Sequence, residues 1–490
     1  MVIRLGWLML DGRCKIDMFF DLKKYAENTA VETEHGLRMT YAELEKDSIY
    51  VTASMEPRKL TFCLCENTIG SFVGYVGLMN ANMPTVLLDG SKDMEIIVSL
   101  IEHYEPQYLW MPTNRMDELK DCLSTGSRSA EVCSYEDYVL VELGKQSFEI
   151  HPDVLLCLTT SGTTGSPKLV KLTEKNLKSN AEAIAEYLKI TDKERAITSL
   201  PMYYSFGMSV INSHLIKGAT LLLTDKAVIQ REFLTFLKEG KATSIAGVPY
   251  TYEMLRRLRF MRMDLPELKT MIQAGGKLNA NIAKEYIEDA QQKGKEFIVM
   301  YGQTEAAPRM SYLPFEKGLE KYASIGIAIP GGKLSVRDVN DLEITEPDVD
   351  GELIYEGPNV CMGYAECIGD LAKGDENHGI LHTGDVARFD SDGFFYITGR
   401  MKRFVKVWGN RCNLDATEQL VKAITTSCAC VGVDDKITIF VTKNGLDSQI
   451  KDYLVEKTGL NTRAFEVKVI DTIPTLPSGK LDYQLMQTMI

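Results

Sequence analysis

Residues 158–173 read LTTSGTTGSPKLVKLT. Thr159, Thr160, Ser161, Gly162, Thr163, Thr164, Gly165 and Ser166 follow an apolar run, and Lys168 comes soon after. Hydroxyls and backbone N–H groups clustered in this way hydrogen-bond phosphate oxygens. The glycines let the backbone approach closely, and the lysine adds positive charge. The loop is not of the G-x-x-x-x-G-K-[ST] type, because Pro167 precedes Lys168 and Leu169 follows it. A second apolar run, 297–300, ends in YGQTE at 301–305. Glu305 there is the kind of carboxylate that a hard cation bridging phosphates takes. Asp385 closes LHTGD at 381–385, and an ionised carboxylate is acceptor-only, able to take two hydroxyl donors. In PTLPSGKLDY at 474–483, Pro474, Pro477 and Gly479 fix a loop that presents Lys480.

These groups need a scaffold that ends strands at loops, and the chain has that rhythm. Runs 59–65 and 84–88 read as strands, 66–82 and 93–103 as helices, and 108–111 is a further apolar run. The pattern continues through 153–158, 196–199, 219–223, 243–247, 269–273 and 296–300. Short apolar runs separated by helical periods predict parallel sheet with crossover helices. After about residue 330 the segments 333–336, 352–356, 384–390 and 394–398 predict a smaller β-rich subdomain with Gly and Asp turns. The basic cluster GRMKRFVK follows at 399–406. Beyond it, helices near 414–426 and 447–457 and strands near 429–433, 437–442 and 465–470 predict a compact α+β unit. The expected fold class is α/β, with a large N-terminal domain of several subdomains over 1–399 and a small C-terminal domain over 400–490.

A chain of 490 residues is too long for one ordinary core, which agrees with that division. Hydrophobic residues at 45% and charged residues at 25% are ordinary for a globular protein. The formal net charge of −13 is opposite to that of a protein that neutralises nucleic-acid phosphates, so no nucleic-acid partner is expected. No stretch is apolar for long enough to span a membrane. The 11 cysteines lack a spaced framework, which argues against a disulfide scaffold or a structural zinc site and for a reducing cytoplasm. The opening MVIRLGWLML has no cleavage pattern, and Met18 offers a second initiation point that would leave residues 1–17 outside the native chain.

Taken in order, the motifs resemble those of the acyl-adenylating superfamily, which includes acyl-CoA synthetases, adenylation domains of peptide synthetases and firefly luciferases. The matches are the 158–173 loop, QAGGK at 273–277, YGQTE at 301–305, LHTGD at 381–385 with Arg400, and the Lys480 loop. They span 158–483 and cover most of the chain. The resemblance implies that the loop binds the β- and γ-phosphates of ATP, that the Gly275 and Gly276 backbone lies against adenine and acyl group, and that Tyr301 stacks on adenine. It further implies that Thr304 contacts the α-phosphate, that Glu305 holds Mg²⁺, that Asp385 and Arg400 bind ribose, and that Lys480 is catalytic. GELIYEGPNVCMGY at 351–364 resembles a structural segment and carries no expected chemistry. Leu476 departs from the family pattern at a position that usually bears a hydroxyl.

The implied reaction joins a carboxylic acid to ATP, giving an acyl-adenylate and pyrophosphate. The acid is already ionised at neutral pH, so the first step needs positioning and charge neutralisation rather than a base. In the family a second step follows, in which the C-terminal domain swings about a hinge residue and the thiol of CoA, or of a phosphopantetheine arm on an acyl carrier protein, displaces AMP. Lys402 occupies the hinge position, where many relatives carry Asp, and Arg403 follows it. Those two residues also fit an exposed basic pair without a hinge role. PMYYSFGMS at 201–209 resembles the acyl-pocket segment, with Tyr204 and Gly207 as lining residues and Gly247 and Val248 beside them. Gly207 stands where amino-acid-activating relatives carry Asp, so a zwitterionic amino acid would leave its ammonium unpaired. An acyl or aryl acid with an uncharged tail is expected. The alternatives are a stand-alone enzyme loading a carrier protein, a phosphotransferase releasing ADP, and a nucleotide-binding protein without turnover.

Overall fold

Strand Thr61–Cys65 is buried at every position, as are Thr85–Asp89 and Tyr108–Pro112, and the first pairs in parallel with both others. Strands covered on both faces read as unbroken apolar runs, which is how these appear in the sequence. The computed structural model describes residues 18–123, 129–159, 168–401, 403–408, 410–476 and 481–490. Two large sheets dominate it. In the first, eight strands follow one another, and the parallel centre is flanked by antiparallel pieces. One edge adds Leu169–Thr173 against Val154–Thr159 and then Gly363–Ala365. The other adds a hairpin of Tyr138–Glu142 and Ala130–Tyr135. These antiparallel edges lie outside the strands read from the sequence.

The second sheet has nine strands. Its parallel run takes in Thr29–Thr33, Thr220–Leu223, Arg195–Ile197, Ser244–Gly247, Thr270–Gln273 and Glu296–Gly302. Helices Ile69–Asn80 and Ser205–Leu215 are buried on nearly all sides and share one core with residues of both sheets. Tyr75 donates to Asn212 at 2.7 Å between them. A helix apolar all round has no solvent face to offer, so it must be enclosed in this way.

Four antiparallel strands follow: Lys333–Arg337, Gly351–Glu356, Ile380–Phe389 and Phe395–Arg400. The third starts earlier than its sequence pattern suggests, so the TGD triplet lies within a strand. The hairpin of Phe404–Val407 and Asn410–Asn413 leads to an α+β unit. It pairs Cys428–Val433, Lys436–Val441 and Phe465–Val469 under helices Leu414–Lys422 and Asp447–Thr458, around a core that includes Val421, Ile439, Leu454 and Phe465.

Arg403 is not an exposed basic residue. Its side chain is 12% exposed, pairs with Asp415 at 3.2 Å, donates to the Cys430 carbonyl at 2.6 Å and lies 3.6 Å from the Tyr483 ring centroid. Packing against the C-terminal unit, invisible in a local sequence pattern, decides its place. Among the described residues no helix is long and apolar enough to cross a membrane.

Candidate active site

Strand Glu296–Gly302 carries the first group of residues to the sheet's end. Gly302 faces Arg309 across the antiparallel return. A Cβ on Gly302 would overlap the Pro308 carbonyl oxygen, so glycine alone permits this crossing. Just before it, the Tyr301 phenol donates to Asp385 Oδ2 at 2.5 Å. Gln303 Nε2 reaches the same oxygen at 3.0 Å and the Thr383 carbonyl at 2.9 Å. Arg400 Nε pairs with Oδ1 at 3.2 Å, from the facing position on the neighbouring strand. Asp385 is buried, whereas Arg400 is mostly exposed. Burial first, and the Asp385 charge second, push the Tyr301 phenol well up, so it stays protonated and donates.

A second group centres on Glu305. The Tyr364 hydroxyl donates to its Oε1 at 2.8 Å. Lys168 Nζ sits 3.7 Å from the centroid of the Tyr364 ring and pairs with Glu366 at 3.0 Å. The pairing of Gly363–Ala365 with Leu169–Thr173 places these side chains together. Thr173 then caps helix Glu174–Tyr187 in a capping box with Asn176. Asn176 in turn donates to the carbonyls of Pro358 and Val360, fixing the segment that leads to Tyr364.

A Mg²⁺ ion shared with nucleotide phosphates needs only one or two protein carboxylates. Glu305 fits that demand: Tyr364 engages one of its oxygens, and the other has no hydrogen bond among the described residues. No cluster of three or more ligating side chains exists among the described residues, so an all-protein metal cage does not fit.

The acyl segment lies alongside. Tyr204 precedes helix Ser205–Leu215, and Ser205 Oγ lies 3.1 Å from Thr304 Oγ1. A Cβ on Gly207 would press on the Pro201 carbonyl, and one on Gly276 would stand 3.2 Å from the Pro249 ring. Gly247 faces Thr251 and Tyr252, and Gly275 has φ +81°. Gly207 borders a cavity of about 10 Å³ with Ser199, Val210 and Ala246, room for a water at most. A larger cavity of about 610 Å³, lined by Glu66, Arg115 and Glu118 among others, contains none of the residues just described. Arg309 lies buried behind the segment, against Phe206 and Ser209.

The structure therefore brings Tyr301, Asp385 and Arg400 together, sets Thr304 against Ser205, and joins Lys168 to Glu305 through Tyr364. Thr160, Ser161, Gly162, Thr163, Thr164, Gly165, Lys402 and Lys480 lie outside the described residues. Sequence reasoning passed over Gln303, Ser205, Tyr364 and Arg309. Tyr364 has no local signal, since its partner is reached only through strand pairing.

Two large α/β sheets, a third antiparallel sheet that carries Asp385 and Arg400 to Tyr301 at the end of the second, and a terminal α+β unit make up the architecture. The chain belongs to the family described as AMP-binding enzyme, whose profile matches residues 20–365. A long-chain-fatty-acid–CoA ligase of Yersinia pestis is 30% identical over 366 residues, 70% of this chain and 63% of that one. A feruloyl-CoA synthase of Amycolatopsis sp is 28% identical over 354 residues, 67% of this chain and 68% of that one. Among solved structures, ATP-bound MatB from Rhodopseudomonas palustris superposes with a TM-score of 0.79 at 21% identity, covering 95% of this chain and 96% of that one. O-succinylbenzoate coenzyme A synthetase from Bacillus subtilis, in complex with ATP and magnesium ion, gives 0.76 at 21%, covering 94% and 97%. These two likenesses establish the fold.

Proposed function

We propose that this enzyme is an AMP-forming acid–thiol ligase that activates a carboxylic acid with ATP and passes the acyl group to CoA. The observation that carries the reading is the held Asp385 carboxylate. A buried carboxylate whose second oxygen is reached, among the described residues, only by the exposed Arg400 is suited to accept the two hydroxyls of a ribose.

In the first step a substrate carboxylate oxygen attacks the α-phosphorus of ATP, and the bond to the β-phosphate oxygen breaks to release pyrophosphate. The obstacle is an anion approaching a polyanion. Lys480 supplies charge between the two, and the hydroxyl loop with Lys168 holds the β- and γ-phosphates. Thr304, braced by Ser205, contacts the α-phosphate. Glu305 would hold Mg²⁺, which neutralises phosphate charge when bound. Tyr301 and Gln303 orient Asp385 toward the ribose, with Arg400 beside it. In the second step the thiol attacks the acyl carbon, the bond to the AMP oxygen breaks, and the thiol proton leaves to solvent.

Relatives named for CoA ligation support CoA as the acceptor over a carrier protein. Residues 1–399 would form the body, 400–490 a lid carrying Lys480, and Lys402 the hinge. The cysteine pattern supports a reducing, cytoplasmic setting. The relatives described above are named for very different acids, so they support the reaction and not a particular acid. Pyrophosphate release and hydroxamate formation over a panel of acids, followed by CoA consumption, test the proposal. ADP release, or binding of ATP without pyrophosphate formation for any acid, would overturn it.

A further inference from the structure

Arg309 carries a positive charge into the core beside the acyl segment. It is 2% exposed, with its guanidinium carbon 3.9 Å from the centroid of the Phe206 ring. Nε and Nη2 both donate to Ser209 Oγ at 3.3 Å, and Nη1 points at the Met300 thioether. A guanidinium has five N–H donors. Among the described residues one donor on each terminal nitrogen is therefore left without an acceptor, and no carboxylate pairs with the group. The titratable groups facing it are the neutral phenols of Tyr187, Tyr204 and Tyr252, and burial pulls its pKa down from the usual arginine value. A buried charge without a counter-charge is strongly unfavourable, and a thioether and one serine hydroxyl do not neutralise it.

The geometry of helix Ser205–Leu215 says where a counter-charge would come from. Ser205 meets Thr304, and Ser209, one turn further along the same face, meets Arg309. One helical turn is about 5.4 Å. The helix thus sets Thr304 and the buried guanidinium against serines one turn apart on one face. We propose that Arg309 is a specificity-determining residue that binds the second, distal carboxylate of a short dicarboxylic acid. This rests on the adenylation reading above, which places the α-phosphate at Thr304 and so brings the attacking carboxylate beside it. Two N–H groups, one on each terminal nitrogen, match the two oxygens of a carboxylate. The tail of the acid is then anionic, where the motifs alone suggest an uncharged one. Arg309 lies outside every motif and comes to the site only because the chain doubles back after Glu305.

The test pairs α,ω-dicarboxylates from succinate to adipate with monocarboxylates of equal length, using the full-length chain. Pyrophosphate release is followed in the wild type and in Arg309→Met. The wild type should favour the best dicarboxylate by about 10²-fold or more in kcat/KM. In the variant that ratio should fall to or below one. A wild type that prefers monocarboxylates overturns the proposal, and this comparison needs no variant. A folded variant that loses both acids in proportion also overturns it, because a merely structural arginine behaves that way. If no acid releases pyrophosphate, the adenylation reading fails while Arg309 remains testable by binding. A dicarboxylate should raise the melting temperature of the wild type and not of Arg309→Met. Absence of that difference overturns the proposal.

Discussion

The phenol of Tyr301 and the carboxylate of Asp385, 84 residues apart in the chain, meet at 2.5 Å. One residue ends a strand of the second large sheet, and the other lies inside the antiparallel sheet that follows. The bond thus ties the two sheets together. With Gln303 it fixes one oxygen of the carboxylate and leaves the other to Arg400.

Asp385→Asn removes the charge without changing the size of the side chain. Hydrogen bonds to a charged group contribute roughly 1.5–3 kcal/mol. The KM for ATP in ATP–pyrophosphate exchange should rise about 10- to 100-fold, with a smaller change for Tyr301→Phe. An unchanged KM in Asp385→Asn would remove the ribose role.

Lys480→Ala should reduce adenylate formation by about 10²–10³ while ATP binding, read by calorimetry, largely survives. Exchange at near wild-type rate in this variant sinks the assignment.

Glu305→Gln should shift the Mg²⁺ concentration needed for half-maximal pyrophosphate release upward by about tenfold or more, since a ligating charge is lost. Tyr364→Phe, which releases one Glu305 oxygen, should move the same titration by far less. Identical titrations in wild type and Glu305→Gln would exclude this carboxylate as a ligand.

Gly302→Ala places a Cβ against the backbone of Pro308 and Arg309, where no flexible side chain can yield. Overpacking of this kind costs typically 1–3 kcal/mol. The melting temperature should fall and activity with it, because Thr304 and Glu305 follow directly. A variant with unaltered stability would show that the crossing relaxes.

His214 is fully enclosed, its Nδ1 2.8 Å from the Val210 carbonyl, and burial lowers its pKa to about 4. The unfolded chain holds it near 6.5. Below 6.5 the unfolded state binds the extra proton first, so stability is lost as pH falls from about 6.5 to about 4. The slope from this one group approaches 1.4 kcal/mol per pH unit at most. Urea midpoints measured across that window should fall less steeply in His214→Phe, and equal slopes would show that the histidine protonates in the folded state.

The parallel strands were legible because each is an apolar run followed by turn residues or a helical period. Strand Thr270–Gln273 and helix Asp447–Thr458 lie within a residue or so of their sequence patterns. The contiguous motif holding Tyr301 and Glu305 follows an apolar run that does form a strand, Glu296–Gly302, so its place at a strand end was legible from local spacing. Tyr364 and Arg309 were not. Each owes its place to a short antiparallel strand whose partner is set by the fold and not by local spacing. The exposed-pair alternative for Arg403 fails for a related reason: its partners Asp415, Cys430 and Tyr483 become neighbours only when the C-terminal unit folds.

Arg400 is bound to Asp385 on one side, and Arg403 is bound into the C-terminal unit on the other. The Met401 N–H is also held, by the Gly384 carbonyl at 2.8 Å. Between two such anchors only a few backbone dihedrals remain. A reorientation of the proposed lid would then be a pivot and not the wandering of a tethered body. Its end points would be set by bond rotation, and its rate by the breaking of anchor contacts instead of by a diffusive search.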